Sequence, residues 1–107
     1  MGTDQVIVHR GRTIIVPVSL GYDVSEDTLT SQIRVDKNPE SDLIAEWQVS
    51  FKTDGRDGEV VLRLDDGVTK DIIQSNGYMD MKRVSGGEPF DVFDDALEVI
   101  IKDAVTA

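Results

Sequence analysis

The chain has 107 residues, no cysteine, and 21 acidic against 11 basic side chains, a formal net charge of -10. That length is the size of one domain, expected over 1–107, which buries roughly 65% of the surface its unfolded chain exposes; without cysteine it has neither a disulfide framework nor a thiolate metal site. The negative charge repels phosphate backbones and anionic headgroups, which excludes nucleic acid and membrane surfaces as expected partners, and no apolar run is long enough for a spanning helix or a secretion signal, so a soluble, unsecreted protein is expected.

Along the chain, short runs of β character alternate with turn chemistry. The first is "QVIVHR", followed by the pair Arg10-Gly11. "TIIVPVSL" then places Ile14, Val16, Val18 and Leu20 on one face, as a half-buried strand requires. Pro17 inside it has no N–H to give to a ladder, so this strand is expected at a sheet edge or with a bulge near Pro17.

"LTSQIRV" follows the turn "GYDVSEDT", and "LIAEWQVSF" follows "DKNPESD". In the latter, Leu43, Ala45, Trp47, Val49 and Phe51 alternate with Glu46, Gln48 and Ser50, which sets an apolar face including a buried Trp47; only Ile44 breaks the polar side. The loop "KTDGRDG" leads into "EVVLRL", with Val60, Leu62 and Leu64 inward. In "DDGVTKDIIQSNG", Thr69 is placed to cap a turn and Asn76-Gly77 to stop it, which predicts one short helical turn near 69–75. "YMDMKRV", "PFDVF" and "LEVIIKD" complete the series, the last with Leu97, Val99 and Ile101 inward. Some seven to nine short strands with Gly- and Asp-rich turns predict an all-β, antiparallel sandwich.

Candidate chemistry is sparse. The one imidazole, His9, sits beside Arg10 at a polar strand position, and no nucleophile gathers near it in the chain, so a solvated histidine is expected rather than a base. The loop "DGRDGE" brings Asp54, Asp57 and Glu59 together, and Asp91, Asp94, Asp95 and Glu98 form a second acidic cluster. Neither has the twelve-residue spacing and terminal bidentate Glu of a calcium loop, and turn formation accounts for both. "SGGE" precedes a strand, not a helix, so it is no phosphate loop. No catalytic, cofactor-binding or metal-ligating residue is assigned, and the chain is expected to be a non-enzyme.

The order of elements carries one resemblance. The Arg10-Gly11 pair between two strands, Leu29-Thr30 and Ile33-Arg34 in the next, a Thr-led turn at Thr69 and the late strand with Tyr78 and Asp80 together resemble the small immunoglobulin-like β-sandwich domain of bacteriophage tail and baseplate proteins. The likeness spans nearly the whole chain, although family members often carry the domain at the front of a longer chain. It implies a virion structural protein, made in the bacterial host cytoplasm, that works by assembly with other virion proteins and with copies of itself. A capsid decoration protein of the same fold, or a carbohydrate- or receptor-binding module, is the alternative; against the sugar-binding reading, the single Trp lies on the core face. Contact residues are expected among apolar side chains on polar faces or in loops: Ile15, Ile44, Val61, Ile100, Tyr22 and Phe93.

Overall fold

A computed structural model describes residues 5–106 of the chain. Eight strands follow in order, β1 (Gln5–Arg10), β2 (Ile14–Ser19), β3 (Thr28–Arg34), β4 (Leu43–Phe51), β5 (Glu59–Leu64), β6 (Asn76–Ser85), β7 (Glu88–Asp91) and β8 (Leu97–Asp103), with one helical turn, α1 (Asp66–Thr69), between β5 and β6. They hydrogen-bond in the order β1-β8-β6-β3-β4-β5-β2, and β7 also pairs with β6. All pairings are antiparallel except β1 with β8, which run parallel, so the fully antiparallel sheet expected from the alternation becomes a mixed one.

β4 belongs to both halves of the architecture. Its first part pairs with β3 through Leu43, Ala45, Glu46 and Trp47, and its second part pairs with β5 from Gln48 to Phe51. The chain thereby passes from one wall to the other within a single nine-residue strand. Between the walls lies one apolar cluster, to which Val8, Ile33, Val60, Leu62, Leu64, Met79, Met81 and Val99 each contribute a side chain at most 1% exposed. Trp47 is buried at 3% exposure, as the alternation in β4 predicts, but its indole Nε1 has no hydrogen-bond partner among the described residues.

Two expectations are corrected. In β4 the register shifts by one residue, because Ile33 opposes Ala45 while the next residue, Arg34, opposes Leu43. Ile44 is the extra residue of a β-bulge, and a bulge inverts the facing of whatever precedes it. Leu43, expected inside, is therefore 49% exposed, and Ile44, expected outside, packs against the core. Gly77 makes room for it: a β-carbon there would stand 2.7 Å from Ile44 Cδ1 and 2.8 Å from the Arg34 carbonyl oxygen.

The helical turn begins earlier than 69–75. Asp65 is the residue before it, and Thr69, expected as its cap, is its last residue. The Thr69 hydroxyl is fully buried and donates to the Arg12 carbonyl at 2.7 Å, so a tertiary bond across the β1–β2 turn claims the group that would have capped a later helix. Arg10 holds the segment that follows, donating to the carbonyls of Ile72 at 2.7 Å and Gln74 at 2.6 Å and to Asp103 at 2.8 Å.

Candidate interaction surfaces

Among the described residues the order of strands leaves β1, β2 and the four-residue β7 each with a single partner strand, and for β1 and β2 the ladder pattern determines what the open sides offer. In an antiparallel pair, alternate residues aim both backbone groups at the partner, and the residues between them aim both away. Leu20 donates its N–H to the Gly58 carbonyl at 2.9 Å, in line with the β2–β5 pairs Val18 with Val60 and Val16 with Leu62. The intervening residues Ile15, Pro17 and Ser19 therefore face the open side. Pro17 thus lies on an edge strand, as expected, with its missing donor at the middle of the free edge.

The same reasoning applies to β8. Ile101 donates to the Ser75 carbonyl at 2.8 Å, so Leu97, Val99 and Ile101 aim at β6 while Glu98, Ile100 and Lys102 aim at β1. In the parallel register Ile7 stands opposite Ile100, which bonds to the residues flanking Ile7. Gln5, Ile7 and His9 consequently direct their backbone groups outward, along an edge without proline. The His9 carbonyl is partly engaged, accepting from the Arg12 N–H at 3.2 Å.

Apolar side chains outside the core fall into separate places. Ile15 is 57% exposed, and half-buried Val61 stands directly opposite Pro17, so these three form one small patch on the β2–β5 face. Ile100 is half-buried beside Ile7, which is 47% exposed on the β1–β8 face. Of the predicted contact residues, Ile15 and Val61 thus share one patch and Ile100 lies in another on a different face. Phe93, like Ile44, is withdrawn from the set, because it packs against the core. Ile7 was legible in "QVIVHR", where alternation with Val6 and Val8 turns it outward; no period flags exposed Ile73 and Phe90.

Tyr22 belongs to a polar clamp. The Arg83 guanidinium donates to Asp27 at 2.5 Å, with its centre 4.8 Å from the Tyr22 ring centroid and 5.6 Å from that of Phe90. The Asp27 side chain is only 7% exposed, and the Arg83 hydrogen bond holds its carboxyl below the ordinary value and raises Arg83 in turn. This joins the loop before β3 to β6 and β7.

A groove of about 430 Å³ lies over β3 and β6, flanked by the 36–39 turn. Its lining balances Arg34, Lys37 and Lys82 against Asp36, Asp80 and Asp91, and the Lys37 ammonium stands 5.4 Å from the Tyr78 ring centroid. Lys82 and Asp91 are register partners, yet they form no ion pair among the described residues.

Most of the acidic side chains in the two clusters are engaged by the chain itself. Asp54 accepts the Arg56 N–H at 3.0 Å, and Asp57 accepts the Glu59 N–H at 3.0 Å and the Thr53 hydroxyl at 2.9 Å. The Glu59 N–H, then Thr53, keep the Asp57 carboxyl below its usual range. In the second cluster, Asp91 ends β7, Asp95 accepts the Ala96 N–H at 2.9 Å, and Glu98 accepts from Gln5 at 2.8 Å. No group of three or more metal-ligating side chains occurs among the described residues, and His9 is exposed. No helix there is long and apolar enough to cross a membrane.

No family model matches the chain, and no curated protein does. Among solved structures it is similar to one from a photo-crosslinking study of multimeric cell-adhesive interactions of VGSC beta subunits, at 7% identity and a TM-score of 0.42, covering 94% of this chain and 90% of that one.

Proposed function

We propose that the protein is a non-enzymatic structural component of a bacteriophage virion, a minor tail, baseplate or adaptor protein that acts through protein–protein assembly. The observation that carries this reading is the resemblance in element order, whose marks sit at defined places: Arg10-Gly11 at the β1–β2 turn, Leu29-Thr30 and Ile33-Arg34 in β3, and Tyr78 and Asp80 in β6. The rigid two-walled core and the apolar patches on its outer faces suit a block that docks on neighbours. Capsid decoration would use the same block at a different place in the particle. Mass spectrometry of gradient-purified particles tests the proposal: the chain should be present at fixed stoichiometry, and its absence from particles, with metabolic genes as its neighbours, would overturn the reading.

The groove beside Tyr78 favours a second reading, a glycan-binding module, since an aromatic face among mixed donors and acceptors suits a polyhydroxy ligand. Calorimetric titration of host-surface glycans into the wild type and Tyr78→Ala decides it; heat lost in the variant supports the module, and no heat with either protein ends it.

A further inference from the structure

We infer that β1 is the assembly edge and that its first partner is the β1 of a second copy, paired antiparallel about Ile7. The inference rests on the assembly reading above and names a partner for it. Of the three strands with a single partner, β2 is obstructed at its centre by Pro17 and β7 is only four residues long and carries Pro89, whereas β1 aims the backbone groups of Gln5, Ile7 and His9 outward.

Those three positions are self-complementary. A two-fold axis through Ile7 sets Ile7 opposite Ile7 of the second copy and Gln5 opposite its His9. The two Ile7 residues exchange both backbone bonds, and each His9 N–H meets a Gln5 carbonyl. Four bonds thus form without calling on the His9 carbonyl that Arg12 already engages. On the outer face, Ile100, Ile7 and their two counterparts line up as one apolar strip across four strands. Beside it, Gln5 next to Glu98 meets the His9 next to Lys102 of the other copy, so the acidic end of each edge lies against the basic end of its mate.

The charge at this edge is compatible with self-pairing. β1, β8 and the β1–β2 turn hold Arg10, Arg12 and Lys102 against Glu98 and Asp103, 3 − 2 = +1, in a chain whose total is -10. Two copies whose total charges repel therefore meet at a surface that adds no net negative charge of its own. A strand pair of this length buries less than the roughly 1,200 Å² of a standard interface, so dissociation is expected at about 10 μM to 1 mM, a range that matters where copies are held close in an assembly.

Sedimentation equilibrium of the full chain at 150 to 500 mM salt, over about 5 μM to 1 mM, tests the pairing. The expected result is a concentration-dependent dimer that tightens with salt. Ile7→Lys, which sets like charges face to face, and Ile7→Pro, which deletes only the outward donor, should each weaken it at least about tenfold with the melting temperature held. Ile15→Lys on β2 should leave it unchanged. A strict monomer across the range, or a dimer that Ile7→Lys spares and Ile15→Lys breaks, would overturn the inference. Because particle composition is measured separately, a monomer that still copurifies with virions defeats the β1 pairing alone, and a dimer absent from particles defeats only the virion reading.

Discussion

Trp47 offers a measurement in which two large effects oppose each other. Its side chain fills the space between the walls at 3% exposure, while its Nε1–H has no partner among the described residues. Trp47→Ala removes the whole indole and should cost about 3–5 kcal/mol, a large share of the about 5–15 kcal/mol available to a domain of this size. Trp47→Phe removes about three buried heavy atoms, worth about 2 kcal/mol of burial, but also removes a desolvated donor whose isolation costs about 1–3 kcal/mol. The two terms nearly cancel, so Trp47→Phe should fall within about 1 kcal/mol of the wild type. Urea unfolding followed by far-UV circular dichroism is the assay, since the chain has a single tryptophan and both variants lose its fluorescence. If Trp47→Phe cost as much as Trp47→Ala, the indole N–H would have to be satisfied, and the assignment of an orphaned donor would be wrong.

Gly58 has φ +76° and a β-carbon there would stand 2.5 Å from the Tyr22 carbonyl oxygen, so Gly58→Ala should cost at least about 2 kcal/mol, whereas Gly11→Ala, with nothing within 4 Å, should cost only about 1 kcal/mol for its φ of +78°. The β4 bulge predicts that Ile44→Asp destabilises by about 2–4 kcal/mol and that Leu43→Asp changes stability by less than about 0.5 kcal/mol, both read from urea midpoints. Asp27 has a folded-state pKa below its unfolded value of about 3.9, so its contribution is complete above that value and is lost as pH falls through the folded pKa; melting temperatures from pH 7 to 2 should drop less steeply for Asp27→Asn than for the wild type below about pH 4. Chelator should leave the melting temperature unchanged, and a fall of about ten degrees would reassign "DGRDGE" or "DVFDDALE" as a calcium site.

Much of the fold was legible because a strand buried on one face writes its orientation into alternate residues. The bounds of β4, β5 and β8 coincide with the runs "LIAEWQVSF", "EVVLRL" and "LEVIIKD". What was not legible depends on partners. The bulge at Ile44 belongs to the β3–β4 pairing; the break in alternation at Ile44 marks the place, but only the register with β3 shows that Leu43 turns outward. Thr69 carries the chemistry of a cap, but a carbonyl 57 residues away takes its hydroxyl. Val24 is fully buried in a loop, where no period marks it, although its N–H is tied to the Gly55 carbonyl at 2.9 Å. The interaction surfaces follow the same division: Ile15 and Val61 could be read as outward residues, but their meeting beside Pro17 needed the β2–β5 register.

The position of Pro17 also sets how far assembly can run. A sheet with two receptive edges has no natural end, because every added copy presents a fresh edge, and the product is a fibre. Here the β2 margin lacks a donor at its centre and the short β7 margin carries a proline of its own, so pairing through β1 exhausts the supply of sites and growth stops at two. A single ring-closed side chain thereby acts as a chain terminator, and Pro17→Thr would give the molecule a second receptive edge, the condition for an open polymer.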